Sequence, residues 1–251
     1  MKAIREKETR MKKEFSVTDL CIEVTRRCNM QCEHCLRGDA ENKDIQFEYI
    51  KNAISVLSCI RTITFTGGEP SLNIPAIRYT MQELQRQNKQ IENFYVVTNG
   101  LENQSELAIV LLEFHTQTMV PEADGVALSI DMFHAYNGEA NPLVRGLSFY
   151  ACDKEHDIGN DTLSWVVSRG RAEDNGFGEP EDNQQYEFPS HEELYHNEFE
   201  LLYLSVTGRV YPEGNASYQD MDEGSIQSMD CRTKEAFEKD LQAWLDGKLT
   251  S

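Results

Sequence analysis

Two hydrophobic periods alternate along the first two thirds of the chain. Asp19–Thr25 (DLCIEVT) alternates like a strand, with polar residues at Asp19, Glu23 and Thr25 around an apolar middle. Phe47, Ile50, Ile54 and Leu57 then fall on one side of a helix. Arg61–Thr66 (RTITFT) is short and β-branched, as a buried strand is. Helical spacing returns at Ile74, Ile77, Met81 and Leu84, a strand at Phe94–Thr98, and a helix at Leu107, Val110, Leu111 and Phe114. Val126–Ile130 and Leu163–Val167 read as two more strands. Strands separated by amphipathic helices predict βα units around a parallel sheet, the α/β class.

Beyond Arg171 the pattern changes. Asn175–Gln185 (NGFGEPEDNQQ) is acidic and turn-prone. Glu200–Ser205 and Gly208–Tyr211 form a candidate hairpin, and Lys234–Leu245 a closing helix with Phe237, Leu241 and Leu245 on one side. The expected organisation is a charged arm over residues 1–16, a core over 17–172, and a small acidic α+β cap over 173–251.

Composition narrows the function classes. The 251 residues suit one large domain or a domain with an appendage. No apolar run approaches the roughly 20 residues a membrane helix needs, and the charged opening MKAIREKETRMKKEF lacks a secretory apolar stretch. A cytoplasmic protein is expected, its seven cysteines thiols or metal ligands and not disulfides. Net charge is −19, of which −14 lies between Ala172 and Asp230, where Arg209 is the only Lys or Arg. Such a field repels phosphate backbones, so nucleic-acid binding through this face is excluded. A solvated acidic surface and the steering of a basic partner both remain open.

The chemistry concentrates in Cys28-Asn-Met-Gln-Cys32-Glu-His-Cys35, directly after the first predicted strand. Three thiolates in eight residues converge on one metal centre only from a loop wrapped around it. A [4Fe–4S] cluster ordinarily takes four cysteines, so three leave one iron open to another ligand, as metal catalysis requires. Zinc with His34 as fourth ligand is the alternative. His34 adjoins Cys35, which makes joint ligation awkward, and no second zinc half-motif follows. His115, His134, His156, His191 and His196 lack metal-ligand spacing and read as ordinary surface or core histidines.

This C-x3-C-x2-C loop resembles the defining motif of the radical S-adenosylmethionine superfamily, and the resemblance runs from about Asp19 to Arg171. It implies an incomplete parallel (β/α)6-type TIM-like barrel, with a [4Fe–4S] cluster on Cys28, Cys32 and Cys35. His34 stands where the family usually has an aromatic residue near the adenine. Gly67-Gly68-Glu69-Pro70 resembles the family's GGEP motif, which contacts the methionyl amine of S-adenosylmethionine. Thr98 and Asn99 resemble a TNG turn near the cofactor, and Ser129 with Asp131 an S-x-D pattern touching ribose or methionine. Arg169 and Arg171 lie in a segment similar to the family's GRA stretch. Most of these groups end predicted strands, the face on which βα barrels build active sites.

The resemblance implies reductive cleavage of S-adenosylmethionine to a 5′-deoxyadenosyl radical that abstracts hydrogen from a substrate. A flavodoxin or ferredoxin would supply the electron. Leu202–Pro212 is similar to the strand pair that opens the extensions of peptide-maturing and cofactor-synthesising branches, here without cysteines, which suggests a peptide or protein substrate. Cys152 and Cys231, isolated in the C-terminal half, are too few for a second cluster. Two enzyme alternatives are a glycyl-radical activating enzyme and a deazaguanine-type enzyme. The first usually has Asp-x-Lys where this chain has Asp131-Met132-Phe133, and the second altered cysteine spacing. A non-enzymatic cysteine-liganded interaction module is the remaining alternative.

Overall fold

The structure is a computed structural model that describes residues 14–134, 142–153, 166–178, 187–189 and 198–249. Most of the N-terminal arm, the greater part of the predicted strand at 163–167, the acidic stretch after residue 178, and His156, His191 and His196 lie outside the described residues.

Strand β1 (Ser16–Thr25) is central, and the parallel strands β2 (Cys59–Gly67), β3 (Asn93–Thr98), β4 (Gly125–Leu128) and β5 (Tyr150–Ala151) follow it in order on one side. Between them run α1 (Phe47–Val56), α2 (Ile74–Arg86), α3 (Gln104–His115) and the single turn α4 (Pro142–Arg145). The short helix α5 (Gly170–Asp174) precedes β6 (Glu198–Leu204), which pairs parallel with the other edge of β1. Two antiparallel strands, β7 (Arg209–Tyr211) and β8 (Met229–Asp230), extend that side, with α6 (Tyr218–Glu223) between them and α7 (Lys234–Leu245) after them. This is an open, partial βα barrel with an antiparallel C-terminal part. The predicted hairpin is β6–β7, but its first strand is also a member of the parallel sheet, so one sheet continues across the change in composition at residue 172.

The strand period decides which side chains go where. Along β1, Val17, Leu20, Ile22 and Val24 face the main core with Ile50, Ile54, Phe65, Ile77 and Val96. On the opposite face Cys21 packs with Tyr203, Tyr211 and Met221. Glu23, Thr25 and Arg26 are fully buried there at the strand's C-terminal end, so the polar residues gather where β1 leads into the cysteine loop. Burial on both faces of β1 fits a central strand flanked by β2 and β6. No described helix is long and apolar enough to cross a membrane.

Candidate active site

The loop that carries the cysteines is fixed at both ends. At its start, Thr25 Oγ1 donates to Asp44 Oδ1 at 2.6 Å, and Arg27 pairs with the same carboxylate at 2.9 Å. Asn73 donates to the Val24 carbonyl at 2.6 Å. At its far end the Cys35 carbonyl accepts from the backbone of Gly38 and of Arg171, at 3.3 and 3.0 Å, and Asn175 Nδ2 donates to the Glu33 carbonyl at 3.1 Å. Helix α5 thereby clamps the loop from outside the sheet.

Gly67 and Gly68 press the end of β2 onto the start of this loop. Gly67 has φ +140°, and a Cβ there would stand 2.1 Å from the Thr25 carbonyl oxygen; one at Gly68 would stand 2.4 Å from that of Arg27. Only glycine permits this approach. The Gly68 and Glu69 amides then donate to the Thr25 and Arg27 carbonyls, both at 2.9 Å. The two glycines thus serve backbone-to-backbone contact between β2 and the cysteine loop.

Glu69 is 1% exposed and joins three segments. Its Oε1 accepts from the Ser71 amide at 2.9 Å and from Thr98 Oγ1 at 2.7 Å, and its Oε2 from the Asn99 amide at 2.7 Å. Burial raises its pKa, and these bonds offset that only in part. Three of the roughly four acceptor positions of a carboxylate are filled from within the chain, which leaves about one, on Oε2, for a ligand. Asn99 Nδ2 reaches back to Asn29 Oδ1 at 2.7 Å and ties the end of β3 to the cysteine loop.

A cavity of about 310 Å³ lies among these groups. Cys28, Cys32, Cys35, His34, Gly67, Gly68, Glu69, Pro70, Thr98, Asn99, Ser129 and Arg171 all line it. Asp131 and Arg169, also expected at the site, do not. Unforeseen from the sequence are Arg26, Arg37, Tyr218 and His134 on its wall. Arg26, wholly buried, pairs with Glu23, Glu41 and Asp222 at 3.4, 3.1 and 2.9 Å and lies over the Tyr218 ring.

His134 corrects the reading of an ordinary histidine. Its Nε2 stands 3.3 Å from Cys32 Sγ, and its Nδ1 faces Asp131 at 2.8 and 2.9 Å. Burial disfavours its charge, but the Asp131 and Cys32 contacts outweigh that and push its pKa up to about 9. Asp131 also accepts from the Phe133 and His134 amides, so it organises its own turn. His34 stacks on Phe133 with ring centroids 4.2 Å apart. His115, by contrast, pairs with Asp124 at 2.6 Å beside the core, the ordinary role expected of it.

The donor set fits a cluster better than a single ion. Among the described residues, the one group of three ligating side chains whose atoms all lie within 4.8 Å of one another is His34, Asp131 and His134. The three cysteine sulfurs are spread more widely, whereas a single zinc with bonds of about 2.3 Å would hold them roughly 3.8 Å apart. The Met30 amide points at Cys28 Sγ from 3.4 Å, a donor suited to a thiolate. Burial pushes the metal-free Cys28 thiol up to about 11, so loading iron there expels a proton. Outside the motif, Cys21 and Cys231 are buried in separate packing clusters, and Cys59 and Cys152 are exposed.

The chain is similar to known proteins over parts of its length. An uncharacterized protein of Methanocaldococcus jannaschii is 44% identical over 61 residues, covering 23% of this chain and 21% of that protein. The GTP 3',8-cyclase of Chlorobaculum tepidum is 33% identical over 115 residues, covering 44% of this chain and 32% of the cyclase. The chain therefore spans only about a fifth to a third of the length of these relatives. The structure of Streptococcus suis SuiB bound to S-adenosylmethionine aligns with a TM-score of 0.48 at 12% identity, covering 94% of this chain and 67% of SuiB. A family model described as the Radical SAM superfamily matches residues 22–146, which include the cysteine loop, the GGEP turn and the ends of β3 and β4. The chain belongs to the radical SAM superfamily.

Proposed function

We propose that this chain cleaves S-adenosylmethionine reductively at a [4Fe–4S] cluster held by Cys28, Cys32 and Cys35, and that its substrate is a basic peptide. The observation that carries the first part is the convergence of the three cysteines with Gly68, Glu69, Asn99 and Ser129 on one cavity at the C-terminal ends of β1 to β4. Membership of the superfamily brings the cluster and S-adenosylmethionine with it. When bound, they supply one-electron chemistry: cleavage of a sulfur–carbon bond to give methionine and a 5′-deoxyadenosyl radical that takes hydrogen from the substrate.

The chain's own residues bind and exclude. Glu69, with about one acceptor position left on Oε2, lines a cavity that suits an ammonium group, and Thr98, Asn99 and Ser129 line it as well. Pro70, Val97, Val166 and Val167 furnish apolar wall that keeps water from a reactive intermediate. A flavodoxin or ferredoxin is the proposed reductant. Support for a basic substrate comes from a second cavity, of about 430 Å³, on the flank of the cysteine loop. Asp39, Glu41, Glu173, Asp174, Asp220 and Asp222 line it, and it shares Arg37, Gly38, Arg171 and Tyr218 with the first.

Anaerobic reconstitution tests the reaction. About four irons with matching sulfide should bind per chain, and dithionite with S-adenosylmethionine should yield 5′-deoxyadenosine. Stoichiometric zinc without sulfide, or a four-iron protein that never forms 5′-deoxyadenosine, would refute it.

A further inference from the structure

We propose that His134 donates a hydrogen bond from Nε2 to the Cys32 sulfur and so raises the reduction potential of the cluster, with Asp131 holding the ring in place. The inference rests on the cluster assigned above and concerns a residue that no motif marks.

The geometry is directional. Asp131 Oδ1 accepts from the Phe133 amide at 2.8 Å and from the His134 amide at 3.0 Å, which fixes the turn after β4. Both carboxylate oxygens then lie within 2.9 Å of Nδ1. An ionised carboxylate has no proton to give, so Nδ1 is the donor of that contact. The far nitrogen is thereby aimed at Cys32 Sγ, 3.3 Å away. An iron-bound cysteine sulfur is likewise an acceptor, and a ring that meets acceptors on both sides donates from both nitrogens. The side chain is 10% exposed, so water competes little for either contact.

A donor on a cluster sulfur withdraws electron density and favours the reduced, more negative state. Hydrogen bonds to the sulfurs are among the levers that set iron–sulfur potentials. The same three side chains, His34, Asp131 and His134, could be read as a separate mononuclear metal site, since their atoms lie within 4.8 Å of one another. Against that, Nδ1 of His134 and both oxygens of Asp131 already satisfy each other, and Nε2 is turned to the sulfur.

The test uses the reconstituted 251-residue chain without S-adenosylmethionine, so that it reads the cluster and not turnover. Midpoint potentials of wild type, His134→Leu and His134→Gln are measured by redox titration followed by electron paramagnetic resonance. Loss of the donor in His134→Leu should shift the potential negative by a tenfold change in the reduction equilibrium, about 59 mV for one electron. His134→Gln retains an N–H and should fall between. Wild type carrying ¹⁵N-histidine should show a weak hyperfine coupling, which identifies a hydrogen bond without needing any variant. An unchanged potential in a fully loaded His134→Leu cluster would overturn the proposal, as would a coupling strong enough for direct iron ligation. Failure of wild type to assemble four irons would instead remove the cluster assignment itself.

Discussion

Among single residues, the cysteines were legible because three thiols at C-x3-C-x2-C spacing have few other uses, whereas His134 was not. Its role depends on a turn that places it beside a cysteine 102 positions away, and no spacing along the chain reports such a contact. Gly68 shows a residue located correctly but only half explained. Sequence alone suggests room for a ligand; the structure adds a 2.4 Å approach to the Arg27 carbonyl. Gly68→Ala should therefore cost about 1–3 kcal/mol through overpacking against backbone that cannot yield, and lower iron loading because the cysteine loop must shift. Gly38 is the control: its φ is +88°, but a Cβ there meets nothing within 4 Å. Gly38→Ala should cost only about 1–2 kcal/mol of backbone strain. Chemical denaturation with iron and sulfide assays would separate the two, and equal iron loading in both variants would show that the β2–loop contact does not control the site.

At the level of elements, local period named strands and helices well and their partners poorly. The apolar stripe of helix α7 predicts its observed ends, Lys234–Leu245, and the structure adds a cap, Thr233 accepting from the Ala236 amide. Helix α6 spans six residues, too short to show a period, although Ser217 and Asp220 form a capping box around its start. The parallel pairing of β6 with β1 joins residues about 180 apart, and alternation says only that a strand is covered, not by what. Arg26 shows what holds this join. It links Glu23 in β1 to Asp222 in α6, and the Glu23 carboxylate also accepts from the Val206 amide beyond β6. Arg26→Leu would leave Glu23, fully buried, without its cation, and should destabilise the fold by about 3–5 kcal/mol in urea titration. Asp222 gives the pH sign. Burial would raise its pKa, but Arg26 and Lys43 more than offset this, and the net shift is downward. Its stabilisation is therefore complete above the ordinary carboxylate range and lost as pH falls through the depressed value. Asp222→Asn should flatten the acid limb of the stability profile; an unaltered limb would place the acid sensitivity elsewhere.

Over the whole molecule, the net charge of −19 stated a sign without a location, and the structure gives part of it a place. Some of the acids around the second cavity are already matched: Glu41 and Asp222 pair with Arg26 and Lys43, and Asp220 closes the cap of α6. Glu173 and Asp174 are exposed at the end of α5, and the Asp39 side chain is 90% exposed across from them, with Arg171 at 3.5 Å. These three line the cavity that shares Arg37, Gly38, Arg171 and Tyr218 with the cluster cavity, so a cationic chain arriving there gains attraction without displacing a buried pair. Attraction between exposed charges is screened beyond about 8 Å at physiological ionic strength, so it acts on approach and yields to salt. A fluorescent oligolysine peptide should bind the reconstituted protein at low salt and weaken steadily as salt rises. The triple variant Asp39→Asn, Glu173→Gln, Asp174→Asn should weaken low-salt binding and flatten the salt dependence, while cluster content stays at the wild-type level. Removing Asp174 from a helix C-terminus should not cost stability, since an acid is unfavourable at that end. Anisotropy titrations across the salt range decide the matter. Affinity indifferent both to salt and to the triple substitution would mean that the acids serve hydration alone and that the substrate is selected inside the cluster cavity.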